Sequence, residues 1–439
     1  MKKVRLILSI LLLAVSSSYV FAQTKPQNPT QNLPHCATQR LAERNDAEGP
    51  LSRSVWGFLA VKVNGDTLVK LNSGRRMVPA SNLKLVTTGA ALLALGGDYR
   101  YSTVFATDGE IRDSVLAGNL FIIGRGDPML GELFPYLPGP DETFGKWSKA
   151  LSDMGIRKIE GDVRGDGSWF AAPQYHPDWN VEDIETRDGV VPSGLTWRGR
   201  MGDSIPDGPA SAALRFRQWL EANGMAAPRQ QATDGPAPAP AQPANLDSLT
   251  VLATIESLPL KDLIRIANCQ SDNFIAETLL KTLGKLRGDG DGYAESVMAL
   301  RKSLAPLGLM AASGQMRFAD GSGLSRKNYV SPEFLVSYLR AMYRSREGKT
   351  FLASLPFAGE PKTTLENRLP KRPYALRHRI RMKSGSMDGV RCFSGYILPS
   401  DGKPGNTIVF SILTNNAVAP GSQVYPLIDA MIESLANEN

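Results

Sequence analysis

Three short elements lie far apart but in fixed order along this 439-residue chain: Ser81-Asn82-Leu83-Lys84, Ser271-Asp272-Asn273 and Lys383-Ser384-Gly385. Each is common alone. Together they supply a hydroxyl nucleophile, a base, a proton relay and a cation, so they constrain the chain to a fold that brings all three into one cleft. A serine hydroxyl is a poor nucleophile until a base takes its proton. The usual base is histidine, yet only His35, His176 and His378 are present, and none has a catalytic sequence setting. A lysine can replace it where a low-dielectric site and nearby cations hold the amine neutral.

The length suits one large domain or two to three smaller ones, and 42% hydrophobic residues supply an ordinary globular core. Lys2, Lys3 and Arg5, an apolar run over residues 6–15 and the Val20-Phe21-Ala22 triplet read as a secretory signal peptide over residues 1–22, cut before Gln23. The expected location is therefore the periplasm. No stretch reaches the roughly 18 apolar residues of a membrane span, so no transmembrane anchor is expected. Without Lys2, Lys3 and Arg5 the formal charge falls from +7 to +4. That mild excess suits a polyanionic surrounding but names no partner. No dense basic run with interleaved aromatics exists, which argues against nucleic acid. Three cysteines, Cys36, Cys269 and Cys392, leave at least one unpaired in a monomer, and Cys269 and Cys392 read as buried packing residues. There is no His-Glu-x-x-His or comparable ligand cluster, so neither metal nor cofactor is expected. The sequence also admits a homodimer.

Residues 23–34 are polar and proline-bearing and read as a flexible tether. Residues 56–63 and 67–71 read as two strands around an Asn64-Gly65-Asp66 turn. Leu83, Val86, Ala90 and Leu93 then recur at helical spacing until Gly96-Gly97. Between 99 and 207 short β-like segments alternate with glycine and aspartate turns around one helix at 144–154, which predicts an inserted α/β module. The remainder, 35–98 and 208–439, is expected to form the catalytic domain. Helices are predicted at 210–222, 260–267, 274–286, 295–305, 332–343 and 427–435, with residues 233–246 as a loop. Strands are predicted at 378–382, 392–398 and 407–414. The fold class is α+β: an antiparallel sheet built from the two chain ends, flanked by helices, with a smaller module inserted.

Ser-x-x-Lys on a helix puts Ser81 and Lys84 on one face, one turn apart, with Ser81 at the positive helix end. Ser400-Asp401-Gly402-Lys403 matches the same pattern but follows a proline and contains glycine, so it reads as a turn. Ser271 can relay a proton to a leaving group, and Asn273 can hold a substrate amide and contact Lys84. A capped turn is the plainer reading of that triplet alone. Lys383 can bind a substrate carboxylate and repel a proton from Lys84. Gly385 would let a substrate backbone lie close to the strand edge. The Ser386 N–H can join that of Ser81 as an oxyanion hole.

At these residues the chain resembles the serine penicillin-recognising enzymes, whose signature is Ser-x-x-Lys, Ser-Asp-Asn and Lys-Thr-Gly, with Ser384 in place of threonine here. It is most similar to the class C, type-4 penicillin-binding proteins, the D-Ala-D-Ala carboxypeptidases/endopeptidases. Gly126-Asp127-Pro128-Met129-Leu130, residues 159–163 and Ala319-Asp320-Gly321-Ser322-Gly323-Leu324-Ser325-Arg326 carry the likeness further. The resemblance implies a penicillin-recognising transpeptidase-like domain, peptidoglycan stem peptides as substrates and acylation by β-lactams. It implies that an aspartate soon after a tryptophan binds the amine of the stem diamino acid. Asp183, after Trp179, is the match, a solvated loop carboxylate being the alternative. Met387 would pack on the same substrate side chain or fill core. The family's third module has no room in the 190 residues between Ser81 and Ser271 and is expected to be absent or a loop. A serine β-lactamase and a non-catalytic peptidoglycan-binding protein are the rival readings.

Overall fold

The computed structural model describes residues 36–131, 136–171, 175–184, 186–189, 191–198, 208–227, 245–309 and 316–438. The signal-peptide and tether segments, and most of the 233–246 loop, lie outside them. In chain order the body opens with helix α1 (Ala37–Ala47), strands β1 (Val55–Lys62) and β2 (Thr67–Leu71), and helix α2 (Leu83–Leu95). The module follows with β3 (Ser102–Thr107), β4 (Glu110–Arg112), β5 (Val115–Ala117), β6 (Leu120–Gly124), α3 (Pro140–Asp153), β7 (Lys158–Ile159), β8 (Val163–Asp166), α4 (Val181–Ile184), α5 (Pro209–Ala222) and β9 (Thr250–Glu256). Helices α6 (Leu260–Gln270), α7 (Asn273–Arg287), α8 (Tyr293–Ser303), α9 (Pro332–Arg344), α10 (Gly348–Ser354) and α11 (Tyr374–Arg379) then lead to β10 (Ile380–Met387), β11 (Val390–Ile397), β12 (Ile408–Asn415) and α12 (Gly421–Asn437).

The body sheet runs β10-β11-β12-β1-β2, antiparallel throughout, so the two chain ends do meet in one sheet. Both faces are covered, and the two-residue period divides each strand between two cores. Leu59 and Val61 of β1 face a helical core with Leu83, Leu279 and Tyr338. Trp56, Phe58 and Ala60 face the other side, against Ile428, Met431 and Ile432 of α12. Helix α1, which shows no strong apolar period, packs on that second side through Ala42. The signal for it is the Cys36 cap, which accepts from Gln39 N, rather than hydrophobic patterning.

The module boundary differs from the sequence reading. Strand β9 pairs with β3 in a second sheet ordered β8-β6-β3-β9. The α5 residues Ala212, Ala213, Phe216 and Leu220 bury into the module core beside Phe105, Phe144 and Trp147. Among the described residues, α5 and β9 therefore pack with the inserted module, and we propose 99–257 as its bounds. Helical texture near residue 210 looked continuous with the later helices, whereas its partner, the β8 strand, is distant from the body in sequence. Thr250, Val251, Thr254 and Ile255 are β-formers whose strand signal was missed. Between β8 and α5, the described residues hold one helical turn and a 3-10 turn at Arg187–Gly189 rather than a further sheet.

His378 is not a sheet residue. It lies in the last turn of α11, and its ring stacks on Tyr374 at 5.2 Å and meets Arg381 Nη2 at 2.8 Å. The three cysteines are free, with Cys269 and Cys392 buried. Among the described residues no helix is long and apolar enough to cross a membrane.

Candidate active site

A 3-10 turn, Ala80–Asn82, delivers Ser81 to the start of α2. Lys84 follows one turn later and is fully buried. Its Nζ lies 2.8 Å from Ser81 Oγ, 2.6 Å from Asn273 Oδ1 and 2.8 Å from the Ser322 carbonyl. Burial drives the amine down to about 8, against the upward pull of Glu277, Asp320, Asp272 and Asp188. Desolvation thus outweighs four carboxylates, because the charged amine has lost all its water.

Ser271 closes α6 in the left-handed region at φ 59°, and Asp272 caps α7 by accepting from Ile275 N at 2.9 Å. The sharp reversal turns Asn273 towards Lys84. Asp272 does more than cap. It is buried and accepts from Tyr136 OH at 2.5 Å and from Arg198 Nη2 at 3.0 Å, both from the inserted module. Burial alone would push this carboxyl up. The Arg198 charge, Tyr136 and the cap outweigh it and hold the carboxyl below its usual range. Asn273 Nδ2 in turn donates to the Asp188 carbonyl of the module at 3.1 Å.

Strand β10 is a sheet edge. Lys383 on it is fully buried and donates to the Ser384 carbonyl at 2.7 Å. Burial, then the neighbouring Lys84, holds its amine well below the ordinary lysine value. Ser384 Oγ donates to Thr364 Oγ1 at 2.8 Å. On the outer edge, Ala358 N donates to the Ile380 carbonyl and Met382 N to the Pro356 carbonyl. By the two-residue period, the N–H groups of Ser384 and Ser386 face the same outer edge, where no strand among the described residues pairs with them. Ser386 is exposed and Met387 half-buried against the helical core.

Gly385 also meets a close approach on its inner side. A Cβ there would sit 2.7 Å from the Pro79 carbonyl and 2.8 Å from Asn82 Nδ2, on the inner side. The glycine lets β10 close onto the turn that carries Ser81. Asn82, fully buried, ties that junction by donating to the Lys383 and Cys392 carbonyls at 3.3 Å each. Gly385→Ala should separate β10 from the Ser81 turn. We expect a loss of about 1–3 kcal/mol in a urea melt, as for other overpacked sites, together with slowed acylation by a fluorescent penicillin. Unchanged values for both would show that the strand can shift freely.

Asp183 lies on α4 and is half-buried. Burial, then Asp188, raises its carboxyl, while Arg326 pulls it down. Arg326 Nη1 donates to the Asp388 carbonyl, next to Met387. The preceding Trp179 donates from Nε1 to Asp320 Oδ2 at 2.9 Å. Asp320 also accepts from Gly323 N, Ser325 N and Asn328 Nδ2, so it shapes the turn whose Ser322 carbonyl meets Lys84. The Asp320 segment is turn chemistry, and it is also a wall of the site.

The site residues that sequence reasoning missed are Glu277, the Ser322 and Asp188 carbonyls, Asn82 and Thr364. Glu277 had a faint signal, a carboxylate on the otherwise apolar and neutral start of α7. Backbone carbonyls have none. A cavity of about 590 Å³ opens beside Ser271 and Asn273, lined also by Gln270, Arg198, Lys362 and Glu366.

A buried lysine on a serine, with an antiparallel sheet between helical layers and an inserted module, defines the class of serine penicillin-recognising folds. The chain belongs to the D-Ala-D-Ala carboxypeptidase 3 (S13) family, whose profile matches residues 37–204 and 207–438. A D-alanyl-D-alanine carboxypeptidase of Actinomadura sp. is 26% identical over 84% of this chain and 79% of its own length. The D-alanyl-D-alanine carboxypeptidase DacB of Haemophilus influenzae is 26% identical over 83% of this chain and 85% of its own. The crystal structure of penicillin binding protein 4 (dacB) from Haemophilus influenzae shares the fold, with a TM-score of 0.73 at 21% identity over 92% of this chain and 99% of that one.

Proposed function

We propose that this chain is a serine D-Ala-D-Ala carboxypeptidase and endopeptidase that cleaves peptidoglycan stem peptides through an acyl-enzyme on Ser81, and that β-lactams acylate the same serine. The observation that carries this is the Lys84 amine, buried, 2.8 Å from Ser81 Oγ and lowered to about 8. Membership of the S13 family and its named carboxypeptidases support it.

In this reading, neutral Lys84 takes the Ser81 proton and Ser81 attacks the carbonyl of the penultimate D-alanine. The Ser81 and Ser386 N–H groups hold the oxyanion. Ser271 passes a proton to the departing amine, and Asn273 and Lys383 hold the substrate amide and carboxylate. Water then hydrolyses the ester. The departing group is D-alanine or, in a cross-link, a second stem, for which the cavity beside Ser271 offers room. Asp183, with Met387 nearby, would read the amine of the stem diamino acid. Residues 1–22 would direct export to the periplasm.

The test is digestion of purified cross-linked wall with mass spectrometry of the products. Wild type should release D-alanine and separate dimers into monomers. Ser81→Ala should do neither and should lose fluorescent-penicillin labelling. Asp183→Ala should lose turnover of amine-bearing stems far more than penicillin labelling. Rapid multiple turnover of nitrocefin would favour a β-lactamase. Absence of labelling in wild type would favour a non-catalytic wall binder.

A further inference from the structure

Glu277 lies four residues after Asn273 on α7, so both side chains share the helix face turned towards Lys84. It is fully buried. Its carboxylate accepts from Gly321 N at 3.1 Å and 3.2 Å and from Ser322 N at 2.7 Å. The Ser322 carbonyl then accepts from Lys84 Nζ. A closed circuit results: the amine meets Asn273, one helical turn links Asn273 to Glu277, and Glu277 grips the residue whose carbonyl returns to the amine.

We propose that Glu277 is a positioning residue of the reaction: its carboxylate holds the Ser322 carbonyl against Lys84 and biases the amine towards the protonated form it must adopt after taking the Ser81 proton. This rests on Lys84 acting as the base. None of the three motifs includes Glu277.

The physical need is clear. Burial of an amine among helices makes it a reluctant proton acceptor, and a base that binds its proton too weakly is inefficient. A buried carboxylate one peptide unit away offsets this without touching the substrate. Burial, then the nearby Asp320, raises the Glu277 carboxyl, while the bonds it accepts from the Gly321 and Ser322 N–H groups favour its charged form. The groups around it are Lys84 on α2, Asp320 in the adjoining turn, Lys281 a turn further along α7, and Tyr293 on α8. Lys84 also has Asp272, Asp188 and Lys383 near it. Removal of the Glu277 charge leaves those in place, so the effect should be partial.

The test is single-turnover acylation by a fluorescent penicillin from pH 6 to 10 in wild type, Glu277→Gln and Glu277→Asp. Loss of a negative charge lowers the proton affinity of a neighbouring amine. The midpoint of the rising limb in Glu277→Gln should therefore move to lower pH by about half a unit or more, with a several-fold lower plateau. Glu277→Asp keeps the charge but withdraws it by one methylene, and should move the midpoint the same way by less. It decides the matter if Glu277→Gln does not fold. A lower plateau with the wild-type midpoint in the folded variants makes Glu277 a structural tie and overturns the proposal. If Lys84→Met keeps the wild-type limb, the base assignment itself fails, and the Glu277 proposal with it.

Discussion

Lys84→Met is expected to slow β-lactam acylation of Ser81 by about 10²–10⁴-fold, the usual contribution of a positioned base. Methionine fits the buried stem but carries no proton acceptor able to serve Ser81. The Asn273 side-chain oxygen and the Ser322 carbonyl, which accept from Lys84, would lose that donor. The pH dependence of the wild type has a defined sign. Lys84 must be neutral to act, so acylation should rise with pH through about 8. The same shift affects stability. A lysine lowered from 10.5 to about 8 on folding disfavours the native state below about pH 8, and this penalty fades as pH climbs to 10.5. Stopped-flow fluorescence of penicillin binding measures the first effect. A Lys84→Met rate within a few-fold of wild type would dismiss the lysine as base.

Asp272→Ala is expected to cost about 3–5 kcal/mol of stability, the loss seen when one partner of a buried ion pair is removed. Arg198 and Asp272 side chains are each only 2% exposed, so the guanidinium would be left in the interior beside Phe274 without its carboxylate. The change also removes the α7 cap and the Tyr136 contact, and so loosens Asn273. Urea unfolding should show the drop, and acylation should fall with it. A loss below about 1 kcal/mol would mean that the cleft rehydrates at no cost. The carboxyl is held below its ordinary value, so its stabilisation is present above the unfolded-state pKa near 4. It is lost as pH falls through the lower folded value.

Much of the architecture was legible in the chain. Strands at both ends and helices between them carried clear periodicity, and they do form one sheet under helical layers. The module was visible as a change of texture, but its far edge was not. Strand β9 lies more than 140 residues after its partner β3, and no local pattern reports such a pairing. Helix α5 has the same amphipathic look whichever domain it covers. His378 read as a strand residue because alternation near Arg379 and Arg381 continues into a helical turn.

The division within the site is similar. Ser81 and Lys84 meet because three residues make nearly one helical turn, a fact of backbone geometry that any such sequence carries. The order Ser271, Asp272, Asn273 likewise encodes a reversal and a cap. Packing alone decided that Asn273 reaches Lys84 across 189 residues, that Glu277 and the Ser322 carbonyl complete the amine's surroundings, and that Gly385 answers to Pro79 behind it. Helical spacing is a local constraint written in residue order. Desolvation, a carbonyl's direction and the approach of two backbones depend on what the rest of the chain brings near.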